Sequence, residues 1–237
     1  MRYICLFVLL LVACSAPVEP RSGLFTQDSG FIRKKDVLNF LKYNHLTDTT
    51  ASGWRFYPDS DTLGRYYRQP DGNFIACLLD AGSESFETHL LMEVRPNDSI
   101  IKAERFIHWN YLCCWNNRYE GFVKCGDYYC LKICETGSGY CGTHVYIFKN
   151  VQPQDSLSGI LGGYRASFGG WECTRYITSQ PAIRGDSLLM RYKLEEVNPD
   201  DSIPQPESVT SFEVLFLHKE NKWIPVDSTY LNHYELN

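Results

Sequence analysis

The sequence lacks most of the features by which an activity is recognised. Its six histidines stand at 45, 89, 108, 144, 218 and 233, and no two have the helical or strand spacing of a metal-ligand pair. No serine sits in a G-x-S-x-G elbow. The glycine-rich stretch 156–170 has no G-K-[ST] ending, so it is not a phosphate loop. No paired-acid motif stands out for glycoside chemistry. Two C-x2-C pairs are absent, which removes the zinc knuckle; Cys141-Gly142-Thr143-His144 has a C-x2-H spacing but runs into strand-like Val145-Tyr146-Ile147-Phe148. Asp59 and Asp61 match the first two oxygen positions of a calcium loop, but no later Glu completes it, and the segment reads as a turn. Cationic residues are outnumbered, 23 Lys and Arg against 28 Asp and Glu for a formal charge of −5, with no basic stripe. Nucleic acid is therefore not an expected partner, because phosphate binding needs clustered cations. After residue 14 no apolar run approaches the roughly 20 residues of a membrane-spanning helix. No metal and no cofactor are expected, and the balance weighs against an enzyme.

What the chain does carry is concentrated at its start. Arg2 supplies a positive charge, Ile4 to Val12 is apolar, Ala13 is small and Cys14 follows. Charge, short apolar core and small residue are the order of a secretory leader. Leu11-Val12-Ala13-Cys14 resembles the lipobox of bacterial lipoproteins. That resemblance implies cleavage before Cys14, a diacylglycerol thioether on its sulfur, and acylation of the new amine, with palmitate the usual chain. Two or three acyl chains hold a protein stably at a membrane, where one holds it marginally. The expected organisation is a signal peptide over 1–13, a lipidated tether over 14–30 and a single β-rich domain over 31–237. Pro17, Pro20, Ser22 and Gly23 give the tether its composition. In the resembled class, Ser15 after the cysteine goes with transfer to the outer membrane. No acidic run follows Cys14, which points to the periplasmic face.

Cysteine usage agrees with an oxidising compartment. Eight cysteines follow Cys14: Cys77, Cys113, Cys114, Cys125, Cys130, Cys134, Cys141 and Cys173. An even number behind a secretory leader is a disulfide signal, and eight allow 105 connectivities. Six of them crowd into residues 113–141. The first pairing expected is Cys134 with Cys141, across the Gly-rich turn Gly137-Ser138-Gly139.

From Lys34 to Tyr43, Val37, Leu38, Phe40 and Leu41 form one apolar stripe, the pattern of an amphipathic helix. Almost everything afterwards alternates between short β-prone runs and turns. Expected strands include Trp54–Tyr57, Arg65–Arg68, Phe74–Leu79, His89–Arg95, Ile100–Trp109, Gly121–Cys125, Tyr128–Glu135 and Thr143–Lys149. Further ones are Trp171–Thr178, Ser187–Leu194, Val209–His218 and Lys222–Val226. Asp-Ser recurs seven times, at 28, 59, 98, 155, 186, 201 and 227, as a habit of turn-to-strand junctions. Ser156–Gly170 and Asn198–Ser208 read as loops. The expected fold is mainly β, an antiparallel sandwich or barrel-like domain with one N-terminal helix. In this character the mature domain resembles lipoproteins of Bacteroidota, without the motif of any specific family.

One stretch points towards chemistry. Gly169-Gly170-Trp171-Glu172-Cys173-Thr174-Arg175-Tyr176 resembles the cysteine motif of the CHAP amidohydrolases, which cut peptidoglycan peptides with a thiolate and an imidazole base. The resemblance implies Cys173 as nucleophile and His218 or His233 as base. Ile177-Thr178-Ser179-Gln180-Pro181 departs from it, because a helix should follow the cysteine. The aromatics Trp109, Tyr111, Trp115 and Tyr119 around Cys113-Cys114 are read as core around a disulfide in preference to a sugar-stacking surface. The first expectation is thus a non-catalytic envelope lipoprotein, a structural module or one that binds an envelope protein, a glycan or a small molecule, held to the membrane by its N-terminal lipid. The second is a cysteine-dependent cell-wall amidohydrolase.

Overall fold

The computed structural model describes residues 23–46, 60–83, 86–109, 121–137, 140–167, 173–197 and 206–234. The chain builds two antiparallel meanders, one after the other. The first is a five-stranded sheet of β1 (Ser29–Arg33), β2 (Thr62–Arg68), β3 (Phe74–Ser83), β4 (Phe86–Val94) and β5 (Ile100–Trp109), in sequence order. Helix α1 (Lys34–Tyr43) follows β1 directly and buries Val37, Phe40 and Leu41. The second is an eight-stranded sheet of β6 (Phe122–Cys125), β7 (Tyr128–Gly137), β8 (Tyr140–Phe148), β9 (Gly159–Ser167), β10 (Cys173–Arg184), β11 (Ser187–Val197), β12 (Pro206–Lys219) and β13 (Lys222–Pro225). A 3-10 turn, Gln154–Ser156, precedes β9, and a short helix α2 (Thr229–His233) follows β13.

Side-chain alternation decides where the two cores lie. In β7, Tyr129, Leu131 and Ile133 face the first core while Tyr128 and Cys130 face the second. In β8, Tyr146 and Phe148 face the first, and Val145 and Ile147 the second. Successive side chains of a strand point to opposite faces, so these two strands are shared walls. The five-stranded sheet packs on their outer side through Phe106, whose ring centroid is 5.4 Å from Tyr146 and 6.5 Å from Phe148. Its other face carries Phe25, Phe40, Tyr66 and Phe74, ring against ring at 5.0–5.7 Å. Covered on both sides, β3 reads as the unbroken apolar run Phe74 to Leu79, all buried.

The eight-stranded sheet curls around the second core, so that its far ends meet. Trp223 of β13 packs 5.2 Å from Tyr128 of β7, and its indole N–H donates to the Ile147 carbonyl at 2.9 Å. Among the described residues β6 and β13 are not hydrogen-bonded to each other, so the sheet is curled and not closed as a barrel. Two packed antiparallel sheets, the sandwich side of the expectation, describe the molecule.

Four expectations need correction. The tether does not extend to residue 30: Phe25 is already core, the Leu24 N–H donates to both Asp98 carboxylate oxygens at 2.8 and 2.9 Å, and Ser29 opens β1. The stretch 156–170 is not simply a loop, because Gly159–Ser167 is strand β9. Strand β12 begins at Pro206, inside the expected loop 198–208. A second helix, α2, accompanies the N-terminal one and buries Leu231. The expected strand Trp54–Tyr57 lies outside the described residues.

Candidate functional site

The cysteines are spread over both sheets. Cys77 is buried in β3. Cys14, Cys113 and Cys114 lie outside the described residues, as does the aromatic stretch 110–120. Cys134 and Cys141 are on paired strands, but the register sets Cys134 across from Thr143 and Cys141 across from Thr136. They are one diagonal step apart, not face to face. Among the described side chains, Cys125 and Cys130 come together either side of the Gly126-Asp127 turn, with Sγ atoms 2.7 Å apart. Cys130 is buried and Cys125 half-buried. The Cys130 S–H donates to Cys125, which holds the Cys125 thiol below its ordinary pKa, while that donated bond and burial push Cys130 up. The signal for this contact is the two-residue Gly126-Asp127 turn, which sets the two cysteines on one face of a hairpin.

The hydrolase residues do not all converge. Strand β10 runs from Cys173 to Arg184, roughly 35 Å at the rise of an extended chain. The His218 amide is bonded to the Asp186 carbonyl at 2.9 Å, just beyond the Arg184 end. Cys173 and His218 therefore sit at opposite ends of the sheet, so of the two expected bases His218 is not beside Cys173. His233 lies on α2, its ring 4.6 Å from that of Tyr234, and Tyr234 in turn is 6.0 Å below the Arg175 guanidinium.

His218 belongs to a different cluster. It packs edge-on to Tyr128 at 5.6 Å and lies 4.9 Å from Trp223. The Tyr128 hydroxyl donates to the Asp186 carboxylate at 2.6 Å, and Lys149 sits 3.6 Å from the same oxygen and 4.6 Å over the Tyr128 ring. The Tyr128 hydroxyl and then the Lys149 ammonium hold the Asp186 carboxyl below its usual range; burial first, then Asp186, pushes the Tyr128 phenol up. This cluster fastens β7, the β10–β11 turn and β13 together.

A groove on the opposite side has the makings of a binding site. It is an open depression of about 570 Å³ between β5, β8 and the Gln154–Ser156 turn, lined by Glu104, Arg105, Tyr146, Gln154, Asp155 and Leu157. Rigid neighbours hold the lining. Lys102 donates to the Val151 carbonyl at 2.9 Å and pairs with Glu104 at 3.7 Å. Arg105 donates to the Leu46 carbonyl at 3.0 Å, and the Gln154 amide to the Tyr146 hydroxyl at 3.3 Å. Gly159 leaves room for that phenol, since a Cβ there would stand 3.2 Å from its oxygen. Two carboxylates, a guanidinium, an amide and a phenol offer donors and acceptors together, which suits a polyhydroxylated ligand better than an apolar one. No motif marked these residues, because they meet only when the two sheets pack.

No protein-family model matches this chain, and neither a curated protein nor a solved structure does.

Proposed function

We propose that this chain is a lipid-anchored protein of the bacterial cell envelope whose β domain binds a glycan, with no chemistry of its own. The groove carries the binding part of the reading: mixed donors and acceptors, placed by strands β5 and β8 and by the 3-10 turn between β8 and β9, are the chemistry that recognises sugar hydroxyls. The order Arg2, apolar core, Ala13, Cys14 supports the anchor, on the periplasmic face of the outer membrane. In this reading the domain is one β-rich body, with α1 covering the free face of the five-stranded sheet.

Two measurements test it. Cells fed labelled palmitate should label the wild-type chain and not Cys14→Ser; equal labelling and membrane partition of the variant overturn the anchor. Soluble peptidoglycan strands and other envelope glycans should bind the purified chain, and Arg105→Ala combined with Glu104→Gln should weaken binding at least tenfold. Unchanged affinity moves the site elsewhere, and capture of an envelope protein instead of a glycan makes the groove a protein interface. Peptidoglycan hydrolysis that disappears in Cys173→Ala would replace the whole reading with the hydrolase one.

A further inference from the structure

Cys125 closes β6 and Cys130 lies in β7, with only Gly126-Asp127-Tyr128-Tyr129 between them. The register pairs Cys125 with Tyr128 and Cys130 with Val123, so the two cysteines share one face of a two-residue hairpin. Their sulfurs stand at 2.7 Å. An S–S bond is about 2.05 Å, so small side-chain shifts separate contact from bond. The hairpin itself is fixed: Gly126 takes a positive φ of 66°, and Tyr129 and Phe122 stack at 5.7 Å on the opposite face. The two thiols are unlike. Cys125 is half-buried and the lower in pKa; Cys130 is buried and the higher.

We propose that Cys125 and Cys130 form a dithiol–disulfide pair in which Cys125 is the attacking thiol and Cys130 the resolving one. This goes beyond the anchor and binding reading and does not depend on it. The oxidant is a small-molecule or protein disulfide. The Cys125 thiolate attacks one of its sulfurs, its S–S bond breaks, and one thiolate leaves. The Cys130 sulfur then attacks Cys125 Sγ of the mixed disulfide, giving up its proton to the second departing thiolate. Two cysteine thiols are oxidised by two electrons, and the oxidant becomes two thiols.

The pair can be read without ambiguity because Lys124 and Lys132 bracket it: trypsin releases residues 125–132 with both cysteines in one peptide. The full-length chain in detergent is equilibrated with reduced and oxidised glutathione over a range of ratios, alkylated and digested. Under oxidising ratios the peptide should be unalkylated and two hydrogens lighter than its dithiol form; under reducing ratios it should carry two alkyl groups. Two alkyl groups at every ratio, or a link from either cysteine to Cys113, Cys114, Cys134 or Cys141, overturns the pair. The order of attack has its own arm. In the reduced chain, limiting maleimide should label Cys125 at least tenfold faster than Cys130. Cys130→Ala should form a mixed disulfide with glutathione, and Cys125→Ala should leave Cys130 unmodified unless the chain is unfolded, which circular dichroism reports. Equal labelling, or faster labelling of Cys130, overturns the assignment of roles while the mass shift still decides the bond.

Discussion

Strands β7 and β8 differ from β11 and β12 in one respect: over Tyr128–Leu131 and Val145–Phe148 the first two are buried on both faces, the second two on one. In β8, Val145, Tyr146, Ile147 and Phe148 are all buried. In β12, Phe212, Val214 and Phe216 are buried, while Glu213 and Leu215 between them face water, with Leu215 41% exposed. The outer face of β11 and β12 carries ion pairs instead, Arg191 with Glu213 across the two strands at 2.8 Å and Lys193 with Glu195 along β11. Exposed pairs of this kind contribute little. The same strand geometry therefore gives every second residue weight in one half of the sheet, and every residue weight in the other.

Alanine substitution of neighbouring residues is the strongest way to break that comparison. Phe148→Ala should cost about 3–5 kcal/mol and Ile147→Ala about 2–4, because each empties a different core. On β12, Phe216→Ala should cost a similar amount but Leu215→Ala less than about 0.5. Urea unfolding measures all four. A Leu215→Ala loss equal to that of Phe216→Ala would show that something covers the outer face of β12.

The second effect is covalent. Chain-entropy bookkeeping for closing a loop as short as residues 125–130 gives about 2 kcal/mol for the disulfide. Denaturation midpoints with and without reductant should differ accordingly in the wild type and coincide in Cys125→Ala/Cys130→Ala. Equal midpoints in the wild type would mean that the hairpin is already held by its turn and by the Phe122–Tyr129 stack.

The third tests the seam where the two halves meet. Trp223→Phe keeps a ring against Tyr128 but removes the donor to the Ile147 carbonyl, at a cost of about 1–2 kcal/mol. Trp223→Ala should cost more, through lost packing. If Phe is as stable as Trp, the sheet is curled by packing alone.

The contrast also explains what the sequence made legible. One-faced strands announce themselves: Leu188, Met190, Tyr192 and Leu194 alternate with solvent-facing residues, and β11 follows that period. Turns were equally plain. Pro70–Asn73, Pro96–Ser99 and Gly126-Asp127 each separate paired strands, and the Asp-Ser dipeptides at 28, 98 and 186 stand at the entries to β1, β5 and β11. Strand β9 was hidden by its glycines, which are there for their neighbours: a Cβ on Gly162 would stand 2.7 Å from the Val145 side chain. Strand β1 is only five residues long and alternates weakly. The distant partners were not legible at all. That His218 meets Tyr128, and that Glu104 and Gln154 line one groove, follows from how the sheets curl and stack, which no local pattern encodes.

The smallest effect separates charge from geometry at the seam. The Asp186 carboxylate is 71% exposed, accepts the Tyr128 hydroxyl at 2.6 Å and lies 3.6 Å from Lys149. Asp186→Asn keeps an acceptor for Tyr128 and removes the charge. Near neutral pH the variant should be slightly less stable than the wild type, by an amount that shrinks with added salt because the pair is open to solvent. The sign of the pH dependence is fixed by the direction of the shift. Tyr128 and Lys149 hold the folded carboxyl below its ordinary value. Its stabilisation is thus complete above the ordinary carboxylate range and is lost as the pH falls through the depressed value. Wild type and variant should converge in strong acid, where both side chains are neutral. Thermal unfolding over a pH series reads this directly. A difference that persists unchanged into strong acid would mean that the amide disturbs the hydrogen bond itself, and that charge has no part in holding β7 to the β10–β11 turn.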